Sequence, residues 1–405
     1  MIKKIRIDQV VAGVYVHDFN CGWLHHPFLV NRMKLNTDKD VEKILKYGIR
    51  ELYIDTEKGL DIDAAPTKQE ADSEIQTEVD QLSMPTANSE QPSRLSEEIT
   101  RAKKLITEAK RTTQRLMGDV KLGKQIEMHQ VEKIDEQMTE SVLNNKDALI
   151  SLLRIKTADE YTYTHSLAVS ALCISFARQL DFDADQIRQI GVGGLLHDIG
   201  KMKVPGEILN KPEPLTEKEF EIMKTHVKEG DRILNESTNL DAACICVTAH
   251  HHERLDGTGY PEGLKGDQIS LFGQIAAIVD IYDALSSERC YKVAMSPHLA
   301  LRKLLEWSQS YLNRDLVEKF IAHVGIYPIG TLVRLKSGYI GVVIIDHGEK
   351  GLLTPVVRAV CDAVQRRPIK PFVVDLAVQR QAGNAHDIVG CEAPERWHVK
   401  PEQYF

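Results

Sequence analysis

Histidines and aspartates recur on apolar-flanked positions through the middle of this 405-residue chain, and these residue types together bind divalent metals. His197-Asp198 follows the apolar run Val192 to Leu196 and precedes Ile199-Gly200-Lys201. Neighbouring residues on a helix diverge by about 100°, yet both can reach one ion, or a pair, placed off a helix end. His165 shares a helical face with Val169, Leu172 and Phe176, and His226 one with Ile222 and Met223. His250-His251-His252-Glu253 closes an expected helix from Asp241 and runs into the tight turn Asp256-Gly257-Thr258-Gly259-Tyr260-Pro261. Asp280 ends the apolar run Ile275 to Val279, where an unpaired carboxylate is costly and a metal would offset the cost. Singly, each is as well read as a satisfied core histidine or a helix-end hydrogen bond. Together they supply several imidazoles and two carboxylates on core-facing positions, a mixed nitrogen and oxygen binuclear site.

The elements that must hold these residues are helical. Residues 162–320 read as several helices separated by Pro/Gly-rich breaks. The helix carrying His226 has a capping box in Thr216 and Glu219 and a hydrophobic staple in Leu215 and Phe220. The expected fold class is mainly α, with five parts along the chain. Residues 1–65 form a small N-terminal α/β domain, with strands suggested around Ile5, Ile7, Val14, Val16 and Glu51 to Ile54, and a helix from Val41 to Tyr47. Residues 66–93, poor in large apolar side chains, read as a flexible linker. Residues 94–145 are a helical lead-in, 146–325 the catalytic domain, and 326–405 a β-rich segment with strands at Leu332 to Leu335 and Tyr339 to Ile345.

Bulk properties narrow the choice further. A net charge of −8 without a basic stripe argues against a nucleic-acid polymer as partner. No stretch approaches the ~20 apolar residues of a spanning helix, and the start lacks the pattern of a secretory signal. Seven scattered cysteines read as reduced thiols of a cytoplasmic protein.

Three spaced motifs resemble the HD-GYP family of the HD phosphohydrolase superfamily: His197-Asp198-Ile199-Gly200-Lys201; His251-His252-Glu253 with Asp256-Gly257 and Gly259-Tyr260-Pro261; and Asp280-Ile281-Tyr282-Asp283-Ala284-Leu285. The likeness spans about residues 145–325, as an HD-type helical bundle, and the flanking parts look like a recurring subgroup whose N-terminal domain has no established role. It implies a phosphodiesterase acting on cyclic di-GMP. The metal ligands it implies are His165, His197, Asp198, His226, His251, His252 and Asp280, with Asp198 bridging. His250 is implied to be a neighbour only. Lys201, Tyr260, Asp283, Arg289 and Lys292 match positions that contact or support the nucleotide, and Cys290 stands where relatives usually carry proline.

The implied catalytic groups are Asp198 and Lys201. Two divalent ions bring +4 against −2 from Asp198 and Asp280, so the pocket stays positive for a phosphodiester. A water bridging the metals can become hydroxide near neutral pH and attack phosphorus in line, while Lys201 offsets charge on non-bridging oxygens. The imidazole-rich shell favours iron or manganese over magnesium. Some relatives hold a third metal through a glutamate four residues before the first histidine. Here that position is Tyr161, with Glu160 rotated to another face, so two metals are expected and pGpG is favoured over GMP as product. Two other readings stay open: a degenerate cyclic di-GMP sensor, and an HD-type nucleotidase on another phosphoester. A protein partner for the N-terminal domain and a homodimer are open as well.

Overall fold

The computed structural model describes residues 1–21, 32–81, 95–154, 161–237, 240–287, 294–345, 353–382 and 387–404. The N-terminal domain is an antiparallel sheet of β1 (Ile2–Arg6), β2 (Tyr15–Asp18), β3 (Met33–Lys34) and β4 (Glu51–Asp55), ordered β1-β4-β2-β3. Helix α1 (Asp38–Lys46) covers it, and Ile5, Val14, Val16, Ile44, Leu52 and Ile54 form its core. Ile7, expected in a strand, opens a 3-10 turn instead, because the chain must bend between β1 and β2.

Residues 68–81 are the main departure from expectation. They form helix α2 (Lys68–Gln81) rather than linker, and its Ile75 and Val79 enter the largest hydrophobic core. Three small apolar residues at four-residue spacing, Ala71, Ile75 and Val79, bury one stripe, which suffices when a neighbouring domain provides the opposing surface. The rest of the expected linker, 82–93, lies outside the described residues.

Helices α3 (Leu95–Lys121) and α4 (Met128–Arg154) form a hairpin. In α4 the backbone breaks at Asn145, whose side-chain oxygen accepts from the amides of Asp147 (3.0 Å) and Ala148 (3.1 Å) and so restarts the helix. The hairpin packs on α5 (Tyr161–Gln179) and α6 (Ala184–Leu196) through Leu149, Leu153, Leu167, Ile174, Val192 and Leu195. A 3-10 turn (Ile199–Lys203), α7 (Gly206–Leu209), α8 (Glu217–Asn235), α9 (Ala242–His250), α10 (Leu271–Ser286), α11 (Pro297–Trp307) and α12 (Arg314–Val324) complete the helical body.

The C-terminal part is an antiparallel sheet of β5 (Leu332–Leu335), β6 (Tyr339–Ile345), β7 (Val356–Asp362), β8 (Arg367–Asp375) and β9 (Ile388–Cys391), ordered β8-β7-β6-β5-β9. The mainly α class with two small sheets therefore holds. Among the described residues no helix is long and apolar enough to cross a membrane.

Candidate metal centre

Six elements deliver the chemistry to one buried point. His165 comes from α5, with Val169, Leu172 and Phe176 buried on its face as expected. His197 caps the C-terminus of α6, and Asp198 leads into the 3-10 turn. His226 lies on α8, which starts with the expected capping box: Thr216 Oγ1 accepts from the Glu219 amide at 3.3 Å, and Glu219 accepts from the Thr216 amide at 2.7 Å. Met223 is buried beside it, but Ile222, assigned to the same face, is 39% exposed. His251 and His252 follow α9 directly, and Asp280 sits in the middle of α10, so no helix end satisfies it. Gly200 permits the convergence: a Cβ there would overlap the carbonyl oxygen of His226 and the amide of Gly230, so only glycine lets the turn lie against α8.

The resulting cluster is almost dry. His165, His197, Asp198, His226 and His251 are each 1% exposed, His252 6% and Asp280 7%. His165 Nε2 lies 3.0 Å from Asp280 and 3.6 Å from Asp198 Oδ2, and His197 Nε2 lies 3.2 Å from the same Asp198 oxygen. On the other side, His226 Nε2 is 3.5 Å and His251 Nε2 3.9 Å from Asp198 Oδ1. Asp198 thus turns one oxygen to each half of the cluster. Three sets of possible ligand atoms lie within 4.8 Å of one another: His165/His197/Asp280, His197/Asp198/His251 and His226/His251/His252.

The rings are oriented by what stands behind them. His197 Nδ1 donates to the Gly194 carbonyl (2.8 Å), His226 Nδ1 to Met223 (2.7 Å) and His251 Nδ1 to Thr248 (2.8 Å), each three residues back. A carbonyl can only accept, so Nδ1 carries the proton and Nε2 presents a lone pair inward. His165 Nδ1 faces the Asp283 carboxylate at 2.6 Å. Yet the Nε2 atoms of His197, His226 and His251, and Asp198 Oδ1, are buried without a hydrogen-bond partner. Buried polar atoms are rarely left so, and facing lone pairs repel unless a cation lies between them. The donor set fits divalent metal.

Electrostatics agree. Burial lowers His226 to about 4 and His251 to about 3, and holds His252 well below its usual range, so these rings are neutral at neutral pH and their Nε2 lone pairs can ligate a cation. Burial would raise Asp198 and Asp280, but His197 and Lys201 beside Asp198, and His165 beside Asp280, hold both carboxyls well below the usual range. Against its own burial, His197 is raised by the same Asp198 carboxylate, the mark of a negative charge that a cation would otherwise balance.

The other expected site residues divide. Lys201 joins the cluster through its Nζ, 2.5 Å from Asp198 Oδ2. Tyr260 stacks on His252, with ring centroids 4.7 Å apart, at the edge of the cluster. Asp283, expected to contact or support the nucleotide, is 1% exposed and lies behind His165, where its carboxylate can orient that ring. His250 turns to Ser270, as a neighbour should. Arg289, Cys290 and Lys292 lie outside the described residues, as does Glu160. Tyr161 is the first residue of α5.

Sequence reasoning missed the role of Glu253. Its carboxylate, 3% exposed, accepts from the amides of Glu262 (2.7 Å), Gly263 (3.1 Å) and Leu264 (3.0 Å) and pins the Gly-Tyr-Pro loop at its base. Its place directly after two histidines was the available signal.

Comparison with known proteins agrees with this geometry. Residues 137–316 match the family described as HD domain, and residues 2–131 match a domain of unknown function, DUF3391. The chain is 39% identical over 401 residues to the Pseudomonas aeruginosa cyclic di-GMP phosphodiesterase PA4108, covering 99% of this chain and 94% of that protein. A Thermotoga maritima cyclic di-GMP phosphodiesterase is 39% identical over 166 residues, or 40% of this chain and 45% of that one. The Vibrio cholerae 3'3'-cGAMP-specific phosphodiesterase 1 is 33% identical over 195 residues, or 46% of this chain and 45% of that one. Fold and site define an HD-domain hydrolase. Within that class, the chain belongs to the phosphodiesterases of the HD-GYP type that carry a DUF3391 domain.

Proposed function

We propose that this chain hydrolyses cyclic di-GMP, opening the ring to linear pGpG as main product and giving GMP more slowly. One observation carries the reading: inward-facing, partnerless Nε2 atoms of His197, His226 and His251 surround the carboxylate of Asp198, whose Oδ1 is likewise without a partner. The likeness to a cyclic di-GMP phosphodiesterase over 99% of this chain supports the choice of substrate.

His165, His197, Asp198 and Asp280 would hold one divalent ion, and Asp198, His226, His251 and His252 a second, with iron or manganese preferred for the imidazole share. Ions held there would supply Lewis acidity toward the phosphodiester and lower the pKa of an attacking water. The protein's part is arrangement. Asp283 and the carbonyls of Gly194, Met223 and Thr248 hold the imidazole protons on Nδ1 and turn each Nε2 inward. Lys201 brings a cation to the rim, where charge on the non-bridging phosphoryl oxygens would otherwise accumulate. Tyr260, propped on His252, presents an aromatic edge to a guanine base, and Arg289 and Lys292 are further base or phosphate contacts. Burial excludes bulk water and strengthens each of these interactions.

The test is to strip the protein of metal, restore manganese, ferrous iron or magnesium, and follow both cyclic dinucleotides by chromatography. Cyclic di-GMP should turn over with manganese or iron and poorly with magnesium. Tight binding without turnover under every metal would replace this reading by the sensor one, and full recovery with magnesium alone would overturn the assigned ligand set.

A further inference from the structure

The N-terminal domain reaches the Gly-Tyr-Pro loop directly. At the turn after α1, Arg50 Nε lies 3.2 Å from Asp256 Oδ2. The other Asp256 oxygen accepts from the Thr258 amide (2.9 Å) and hydroxyl (2.7 Å), so one carboxylate joins the domain to the loop backbone. Gly48, at φ +67, lies so close to Thr258 that a Cβ there would overlap its side chain. Two residues beyond Thr258, the Tyr260 amide donates to the His252 carbonyl at 3.2 Å and its ring stacks on His252.

The domain is firmly seated while it makes this contact. Glu306 of α11, 4% exposed, accepts from Lys4 (2.9 Å), Asn20 (2.7 Å), Tyr53 (3.1 Å) and Lys303 (2.9 Å), so three N-terminal residues and one from α11 close around it. Trp307 Nε1 donates to the Asn20 carbonyl at 2.8 Å, and Asp72 of α2 pairs with Arg302 at 3.1 Å.

Glu253 pins the loop from within, and Arg50 and Gly48 bear on it from without. We propose that the N-terminal domain is a built-in brace that sets the position of the Gly-Tyr-Pro loop, with Arg50 as a positioning residue acting through Asp256 on Tyr260. The proposal rests on the reading of Tyr260 as a substrate contact for its kinetic consequence, but not for its structural one.

The experiment uses the full metal-loaded chain and the variants Arg50→Glu and Arg50→Lys. Arg50 is half-exposed, so the N-terminal sheet should tolerate both changes. Amide hydrogen exchange across 254–264 in R50E should quicken, and KM for cyclic di-GMP should rise, each by about threefold to tenfold, the reach of a partly exposed ion pair turned repulsive. Values of kcat and metal content should stay within about twofold, and R50K should recover most of the KM. Loop exchange and KM matching wild type in R50E would overturn the brace. If R50E also loosens exchange in residues 51–55, Arg50→Ala decides by the same readouts. A wild-type protein inert toward cyclic di-GMP would instead sink the proposed function, while loop exchange without nucleotide still judges the brace.

Discussion

The metal-type cluster and the junction between the N-terminal domain and α11 both bury carboxylates among cations or imidazoles, and they differ in what is left over. Around Glu306 each carboxylate oxygen has a donor, and the donors come from both domains. Around Asp198 one oxygen has only Lys201 as a hydrogen-bonded donor, the other has none, and three imidazole nitrogens point inward partnerless. A closed network is complete and serves assembly. An open one is stable only with something in it, because buried unpaired groups carry the full cost of desolvation. Equal burial therefore does not mean equal function; the unsatisfied atoms make the difference.

The contrast breaks most visibly at Asp198. Asp198→Ala should lower turnover of cyclic di-GMP by about a thousandfold or more, since it removes the proposed shared ligand and the anchor of Lys201. Metal content by mass spectrometry should fall with it, while the metal-free melting temperature stays within about 5 °C of wild type. Near-normal turnover with full metal would show that the cluster is not the reaction centre.

A subtler change tests whether the orienting groups matter. Asp283→Asn keeps the size of the side chain but removes the charge behind His165, and should weaken metal affinity by about tenfold to a hundredfold. Titration with manganese in competition with a chelator measures this. Unchanged affinity would reduce Asp283 to packing.

The junction should respond in stability. Glu306→Gln leaves Lys4 and Lys303 without their shared buried charge and should cost about 3 kcal/mol in chemical denaturation. Burial alone would raise the Glu306 carboxyl, but Lys303 and Lys4 hold it at about 2, below its usual 4.5. A depressed carboxyl contributes its full stability above the unfolded value and loses it as pH falls toward the folded one. Exchange protection of β1 and β4 should therefore hold at pH 5 and decline between about 4.5 and 2, and E306Q should flatten that decline. A wild-type profile in the variant would separate the acid transition from Glu306.

Much of the site was legible in the chain because it obeys local rules. The capping box at Thr216 set the phase of α8 and with it the inward turn of His226. The glycines and proline after His252 required a turn where one is found. Residues 68–81 were not legible, since a stripe as sparse as Ala71, Ile75 and Val79 becomes a buried face only when α11 and its neighbours supply the other side. The contact of Asp283 with His165 was not legible for a related reason: its residue type suits many partners, and only packing against α5 brings the two together.

By itself the sequence determined the residue types, the helical course of the middle of the chain and the core-facing positions of His165 and His226, because these depend on contacts within a few residues along the chain. The tertiary structure alone decided which lone pairs meet, that Asp198 offers one oxygen to each half of the cluster, and that Arg50 touches Asp256, 206 residues away. Those relations depend on how separate elements pack, which no local pattern encodes.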